Sequence, residues 1–316
     1  MRILVLGAGG TGGYFGGRLA EGGADVTFLV RPARAAQLEA DGLVIRSPLG
    51  DARITVQHVT ARQLPALAAA QPFDLVLLSC KAYDLDSSMD AIEPAVGDGT
   101  SVLPILNGLR HYPALDQRFG AQRVLGGLCF ISATKHADGA VVHLNDLARI
   151  TFGEREGDPQ STRCLALAAA FENAGVQFKH AQQVAEDIWV KYSFLAALAA
   201  ATCLMRGAIG QIVAAQGGQQ ILEGLYAECL AVAQASGWPI PQAEREKALH
   251  ALTDKASPIT ASMLRDIEAG QDIEGLQIVG DMLQKAQAAG LDAPLLAVAW
   301  AHLQVYSARR AAHPAG

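Results

Sequence analysis

The glycine pattern near the start of the chain constrains its fold more than any other feature. The apolar run Ile3–Leu6 predicts a short β-strand, and Gly7-Ala8-Gly9-Gly10-Thr11-Gly12 follows it directly. In a strand–turn–helix segment the first glycine of G-x-G-x-x-G permits a tight turn. The second lets a pyrophosphate approach the backbone, and the third lets the helix pack closely on the strand. A second β run at Val26–Val30 completes the βαβ unit of a dinucleotide-binding domain.

The end of this second strand indicates which nicotinamide cofactor is bound. Enzymes that use NAD place a carboxylate there to bind the ribose hydroxyls, but the nearby acid, Asp25, lies at the other end of the strand. Arg31 follows the strand instead, and a guanidinium can bind a 2′-phosphate through two hydrogen bonds. We therefore expect NADP(H) rather than NAD(H). A solvated surface arginine is the alternative interpretation of Arg31.

The hydrophobic pattern predicts an α/β fold with two domains. Strand and helix patterns alternate through the first part of the chain, whereas long alanine- and leucine-rich helices follow from about residue 185. We expect a Rossmann-type domain over residues 1–182 and an all-helical domain over residues 183–316. Asp138-Gly139 predicts a hairpin turn, and Thr162–Asn173 a helix. Further strands are expected at Leu43–Ile45, Ile54–Val56, Leu75–Ser79, Val102–Leu106, Leu128–Thr134, Val141–Leu144, Ala148–Phe152 and Val176–Lys179.

Charge and composition exclude several classes of function. Lys and Arg number 25 and Asp and Glu 31, for a net charge of −6, so we expect neither nucleic-acid nor membrane binding. The longest nearly apolar run, Phe194–Met205, is shorter than the ~18 residues needed to cross a bilayer. The five cysteines form no C-x-x-C pair and the eight histidines no H-x-x-x-H pair. We expect no metal site, and reduced thiols in a cytoplasmic protein.

A lysine on an apolar helix is the first candidate for chemistry. The segment from Ile188 to Met205 is apolar on every face, which is typical of a buried helix, and it carries Lys191. A buried ammonium pairs with an anion or has a lowered pKa, and either condition suits a general acid. The alternative is a lysine that extends from the first turn to solvent. The candidate partner carboxylates are Asp266, Glu268, Asp272 and Glu274.

Two further polar residues follow predicted parallel strands. Lys81 comes after Leu75–Ser79 and Asn107 after Val102–Leu106. Ligands of open α/β sheets bind at the carboxyl ends of such strands. An ordinary solvated lysine and an Asn-Gly turn are the alternative interpretations, and an acid such as Glu274 also suits the first turn of a helix.

The motifs together resemble the ketopantoate reductase (2-dehydropantoate 2-reductase) family over nearly the whole chain. They occur in order as Gly7-Ala8-Gly9-Gly10-Thr11-Gly12, Cys80-Lys81-Ala82-Tyr83-Asp84, Leu106-Asn107-Gly108, Trp189-Val190-Lys191, Ala261-Ser262-Met263-Leu264-Arg265-Asp266-Ile267 and Asp272-Ile273-Glu274. The resemblance implies NADPH-dependent reduction of a 2-keto acid to an (R)-2-hydroxy acid, in a cleft between the two domains. The substrate implied is 2-dehydropantoate, on the route to pantothenate and coenzyme A.

The resemblance also implies a role for each site residue. Lys191 matches the proton donor, and Glu274 matches an acid near the nicotinamide ribose and the substrate. Ser262 matches a serine that holds the substrate carboxylate. Lys81 and Asn107 match cofactor and substrate contacts, whereas the glycine loop and Arg31 match the groups that bind the cofactor phosphates.

One pair of positions departs from the family pattern. The family carries asparagines four and eight residues after the lysine, and here those residues are Leu195 and Ala199. This substitution favours a related enzyme that acts on a more apolar 2-keto acid. A second alternative is a dehydrogenase of the wider 6-phosphogluconate-dehydrogenase-like group that acts on another small anion. A third is an NADP(H)-binding sensor without turnover, against which Lys191 and Glu274 argue. The helical domain has enough apolar surface for a homodimer.

Overall fold

The computed structural model describes residues 1–312 and divides the chain into two compact units. The first unit comprises Met1–Leu106 and His111–Val184. The second comprises Asn107–Arg110 and the chain from Ala185 onward. The four residues 107–110 therefore belong to the second unit, although the chain on both sides of them belongs to the first.

The first unit contains a parallel sheet flanked by helices. The strands of residues 1–312 are β1 Arg2–Leu6, β2 Asp25–Leu29, β3 Leu43–Arg46, β4 Ala52–Ile54, β5 Gln57–Val59, β6 Leu75–Leu78, β7 Ser101–Pro104, β8 Gly126–Lys135, β9 Val141–Gly153 and β10 Gln177–His180. The parallel sheet has the order β5-β2-β1-β6-β7. Its central strands are continuous apolar runs because both faces are buried. Leu6 pairs with Leu29 and Leu78, so the carboxyl ends of these strands are aligned.

A second, mixed sheet completes the first unit. It has the order β10-β9-β3-β4, and β8 pairs antiparallel with β9. The hairpin at Asp138-Gly139 is confirmed, since β8 and β9 flank it and Gly139 has a φ of +86°. Two strand predictions were wrong in detail. Strand β9 runs unbroken through Val141–Gly153, where two strands were expected, and the single strand expected at Ile54–Val56 is replaced by the short strands β4 and β5.

The helices of the described chain fall into two groups along the sequence. Those of the first unit are α1 Gly10–Glu21, α2 Pro32–Asp41, α3 Leu64–Ala70, α4 Leu85–Ile92, α5 His111–Phe119 and α6 Thr162–Asn173. Those that follow are α7 Val184–Met205, α8 Ile209–Ala214, α9 Gly218–Ala235, α10 Gln242–Thr253, α11 Ser262–Glu268, α12 Asp281–Ala288 and α13 Pro294–Ala312. A π-helical turn, Leu276–Gly280, leads directly into α12. The Rossmann-type and helical composition confirms the expected fold class.

Helix α7 forms the centre of the second unit. Ala196, Ala197 and the alanines at 199–201 are fully buried, and such small side chains let neighbouring helices approach closely. The helix is long and apolar enough to cross a membrane by length and composition, but 67% of its apolar window is buried inside the protein. Its surroundings are therefore those of a core helix and do not indicate a membrane span.

Candidate active site

The glycine loop of the first unit joins β1 to α1 through backbone geometry. Gly7 has a φ of +82°, a left-handed conformation that glycine adopts without strain, and its N–H donates to the carbonyl of Leu29 at 2.8 Å. The first intrahelical bond runs from the N–H of Gly13 to the carbonyl of Gly9 at 2.8 Å. The preceding N–H groups at the start of α1 have no intrahelical acceptor, so this helix end suits an anion.

The glycines of the loop are required for different reasons. A Cβ at Gly12 would lie 2.8 Å from the carbonyl oxygen of Gly7 and still closer to Ser79 Oγ. A Cβ at Gly10 would lie 2.6 Å from the carbonyl oxygen of Ala133 in β8. At Gly9, by contrast, no atom of residues 1–312 lies within 4 Å of the Cβ position. The loop therefore packs tightly against the protein at Gly10 and Gly12 and is open at Gly9. This is the arrangement that a dinucleotide pyrophosphate requires.

Two arginines follow β2, and the structure gives them different environments. Arg31 is exposed and occupies the position just before α2. Arg34 is half-buried, and its Nε donates to the carbonyl oxygen of Ala8, within the glycine loop, at 3.1 Å. Its Nη1 donates to Gln37, whereas its Nη2 is buried without a hydrogen-bond partner in the described chain. Burial lowers the pKa of Arg34. Arg34 therefore ties the segment after β2 to the loop, and Arg31 keeps its guanidinium in solvent.

Lys81 also belongs to the first unit. It lies three residues after β6, half-buried, and its carbonyl accepts a hydrogen bond from the N–H of Asp84 at 2.9 Å. It precedes the 3₁₀ turn Ala82–Asp84. Because β1, β2 and β6 are parallel and aligned, Lys81 follows the same edge of the sheet as the glycine loop and Arg31.

The second unit brings Lys191 and Asn107 together. The Nζ of Lys191 donates to Oδ1 of Asn107 at 3.0 Å, although 84 positions separate the two residues in the chain. Lys191 is half-buried on α7 between the buried residues Trp189 and Tyr192. An amide oxygen fixes the direction of an ammonium group without neutralising it. The hydrogen bond to Asn107 therefore orients the end of the Lys191 side chain.

Ser262 and Glu274 lie in the same unit. Ser262 is the half-buried first residue of α11, and the preceding N–H, of Ala261, donates to Thr202 Oγ1 at 3.3 Å. Thr202 also donates to the carbonyl of Leu198 at 2.7 Å, so its hydroxyl holds α11 against α7. Glu274 is 6% exposed and immediately precedes the helical segment that contains the π turn.

The two positions that depart from the family pattern differ in exposure. Leu195 is partly exposed one turn after Lys191, whereas Ala199, two turns after it, is fully buried. Residues four apart lie on one face of a helix, so Lys191 and Leu195 are neighbours on the surface of α7. Ser193 Oγ is buried without a hydrogen-bond partner in residues 1–312. The helix surface next to the lysine is therefore apolar at Leu195.

Sequence reasoning missed three polar residues of the second unit. The hydroxyl oxygen of Tyr192 lies 2.9 Å from Oδ2 of Asp281 and 3.1 Å from the carbonyl oxygen of Ile278, so its single proton is shared between these two acceptors. Arg110 Nη1 lies 3.8 Å from Oδ1 of Asp281 and donates to Gln284 at 2.8 Å. The sequence shows Tyr192 and Asp281 only as two polar residues in separate helical segments. Nothing in a single sequence indicates that they are in contact. Within the described chain, no group of three or more His, Cys, Asp or Glu side chains could hold a metal ion.

Models of one protein family match both halves of the chain. The family model described as "Ketopantoate reductase PanE/ApbA" matches residues 3–157. The model described as "Ketopantoate reductase PanE/ApbA C terminal" matches residues 183–307. Together the two models match well over half of the chain.

Individual relatives cover nearly the whole length. The "Uncharacterized oxidoreductase YkpB" of Bacillus subtilis is 37% identical over 98% of this chain and 100% of its own. The 2-dehydropantoate 2-reductase of Mesorhizobium japonicum is 28% identical over 87% of this chain and 88% of its own. The crystal structure of 2-dehydropantoate 2-reductase from Methylococcus capsulatus matches with a TM-score of 0.86 and 29% identity, over 98% of this chain and 97% of that one.

Proposed function

Because the chain belongs to the ketopantoate reductase PanE/ApbA family of oxidoreductases, we propose that it reduces a 2-keto acid to an (R)-2-hydroxy acid with NADPH. The first substrate to consider is 2-dehydropantoate, which would place the enzyme in the cytoplasm on the route to pantothenate. The observation that carries the proposal is the hydrogen bond from Lys191 to Asn107, which holds a half-buried ammonium in one direction.

The first unit supplies the groups that would hold the cofactor. The open face at Gly9 and the N–H groups that begin α1 suit the pyrophosphate, and Arg31 suits the 2′-phosphate. Lys81, at the same edge of the sheet, suits a further phosphate or ribose oxygen. The bound cofactor supplies the hydride, and the protein supplies orientation and the proton.

Lys191 is the proton donor in this proposal. As hydride reaches the carbonyl carbon, negative charge develops on the carbonyl oxygen, and the Lys191 ammonium transfers one proton to it. The products are a hydroxyl group and a neutral amine, which regains its proton from water. Asn107 accepts one N–H of the ammonium and so orients the group that makes this transfer. The positive charge also attracts an anionic substrate.

Ser262 and Glu274 would hold the substrate in this scheme. The hydroxyl of Ser262, at the start of α11, can donate to the substrate carboxylate. The buried Glu274 can accept from a hydroxyl of the substrate or the ribose. The Thr202–Ala261 hydrogen bond fixes the backbone that carries Ser262, so that serine is presented from a rigid element.

A second candidate substrate class follows from Leu195. Its partly exposed side chain lies one turn from Lys191 and offers no hydrogen bond, where the family pattern has an asparagine. A site built to bind a substrate hydroxyl loses much selectivity when that partner is removed. This position favours a 2-keto acid with an apolar side chain, reduced by the same chemistry.

The test is NADPH oxidation with a panel of 2-keto acids that contains 2-dehydropantoate and apolar analogues of similar size. We expect turnover with at least one member. The highest kcat/KM with 2-dehydropantoate would contradict the apolar class, and the highest value with an apolar acid would support it. Tight NADPH binding without any turnover would contradict the reductase and favour a sensor.

A further inference from the structure

Asp281 is a buried carboxylate to which the proposed reaction assigns no step. It is 5% exposed, and a buried charge is costly unless it is paired and hydrogen-bonded. Its partners are the Tyr192 hydroxyl at 2.9 Å and the cations of Arg110 and Lys285, each at 3.8 Å. Burial raises the pKa of Tyr192 well above its ordinary value and the Asp281 carboxylate raises it further, so the phenol stays protonated and donates.

Two of the three partners of Asp281 lie close in the chain to a residue of the proposed site. Tyr192 is the chain neighbour of Lys191, and Arg110 lies three residues after Asn107. Asp281 itself follows the π turn that begins just after Glu274. One carboxylate is therefore bonded to or paired with the segments that carry Lys191 and Asn107, and it continues the helical segment that follows Glu274.

Backbone contacts join the same segments. Gly108, which follows Asn107, has a φ of +77°, and a Cβ there would collide with the carbonyl oxygen of Gln277 in the π turn. The next carbonyl oxygen of the turn, that of Ile278, lies 3.1 Å from the Tyr192 hydroxyl and is the second acceptor for its one proton. The π turn is thus held by Tyr192 and lies directly against the segment that carries Asn107.

Stabilisation of a helix N-terminus does not explain why Asp281 is buried at the start of α12. Acids are favoured in the first turn of a helix because its N–H groups are free. Asp281, however, continues a helical path from the π turn, since Gly280 has φ −63° and ψ −44°, and the Asp281 N–H donates to the carbonyl of Leu276. Its side chain has no free helix end to cap.

We propose that Asp281 is a positioning residue for proton transfer: it binds Tyr192 and Arg110 and so fixes Lys191, Asn107 and Glu274 in one arrangement. The inference rests on the proposed function. A shift of about 1 Å in a reacting group can lower a rate by about 10²-fold, so a carboxylate that touches neither substrate nor cofactor can still affect turnover.

The experiment compares Asp281→Asn in the wild-type protein and in a Lys191→Ala background. We expect kcat to fall about 10- to 10²-fold in the wild-type background, with an unchanged Kd for NADPH. In the Lys191→Ala background the same substitution should change kcat by less than about twofold, because residues that act as a unit are not additive. Lys285→Ala is the matched control: it removes a cation at the same 3.8 Å distance that pairs with Asp281 within α12 and ties it to no site residue, so kcat should not change.

An equal loss in both backgrounds, or an unchanged kcat in folded Asp281→Asn protein, would overturn the proposal. If this variant does not fold, Tyr192→Phe removes one hydroxyl and should show the same dependence on Lys191. A wild-type protein that reduces no keto acid contradicts the proposed function instead. Positioning is then decided by crystallography: Asp281→Asn should lengthen the Lys191–Asn107 separation beyond ~3.5 Å, and an unchanged 3.0 Å contradicts it.

Discussion

The glycine loop of the first unit and the lysine site of the second are built in opposite ways. The loop uses six consecutive residues, and its shape comes from backbone conformation and the absence of side chains. The lysine site uses side chains that are distant in the chain: 84 positions separate Lys191 from Asn107, and 89 separate Tyr192 from Asp281. A backbone site is destroyed by adding atoms, whereas a side-chain site is destroyed by removing them.

The largest expected effect belongs to the side-chain site. Lys191→Ala should lower kcat by about 10²- to 10⁴-fold, the usual weight of a lost general acid, with the Kd for NADPH little changed. Steady-state kinetics and fluorescence titration measure the two quantities. Lys247→Ala, on the exposed surface of the same unit, is the matched control and should behave as wild type. A Lys191→Ala enzyme with near-normal turnover would refute the assignment.

The glycine loop provides the complementary test, in which atoms are added. Gly12→Ala should destabilise the protein by about 1–3 kcal/mol, because its Cβ would overlap Ser79 and Gly7. Gly9→Ala should leave the melting temperature unchanged, since no described atom lies within 4 Å, yet weaken NADPH binding. Gly99→Ala, also at an open position, is the control and should change neither quantity. Normal NADPH affinity of Gly9→Ala would show that no pyrophosphate lies there.

Substitution of the two arginines after β2 distinguishes the choice between NADPH and NADH from the effect of loop geometry on cofactor binding. Arg31→Ala should raise the Kd for NADPH by roughly 10- to 10²-fold and leave that for NADH unchanged, because a charged hydrogen bond to the 2′-phosphate is lost. Arg34→Ala should weaken the binding of both NADPH and NADH, because Arg34 Nε donates to the Ala8 carbonyl and so holds the loop. Equal effects of Arg31→Ala on both cofactors would remove the basis for NADPH preference.

The smallest effect on cofactor binding and turnover is expected in a side-chain network of the first unit that carries no proposed chemistry. Burial opposes ionisation of Glu154, but hydrogen bonds from Arg163 and Ser161 outweigh it and hold its pKa below the ordinary 4.5. This carboxylate therefore stabilises the fold above that pH, and the contribution is lost as the pH falls through the lower folded pKa. Glu154→Gln should cost about 1–3 kcal/mol near neutrality and less in acid, with unchanged NADPH affinity. A pH-independent difference in melting temperature would contradict this assignment.

The sequence predicts the backbone site better than the side-chain site, and the reason is physical. Glycines at fixed spacing record steric requirements that act over six residues, so β1, the loop and α1 follow from the sequence. The Asp281 network leaves no local pattern, because Tyr192 lies in an apolar helix and Asp281 at the start of an amphipathic one, and only the fold joins them. Likewise, β9 was divided in two because its exposed middle interrupts the apolar alternation. The β8 register shifts at this point, between Ile131 and Ala133, yet the strand continues through it.

Because residues 107–110 belong to the second unit, the two units cannot be separated by a single cut in the chain. A fragment that starts at Ala185 would retain Lys191 and Asp281. It would lose Asn107, Gly108 and Arg110, which residues 107–110 supply. Cutting the polypeptide at the end of the first unit therefore cannot yield an autonomous lysine site. A fragment of the second unit that keeps the Lys191–Asn107 hydrogen bond must therefore also contain residues 107–110.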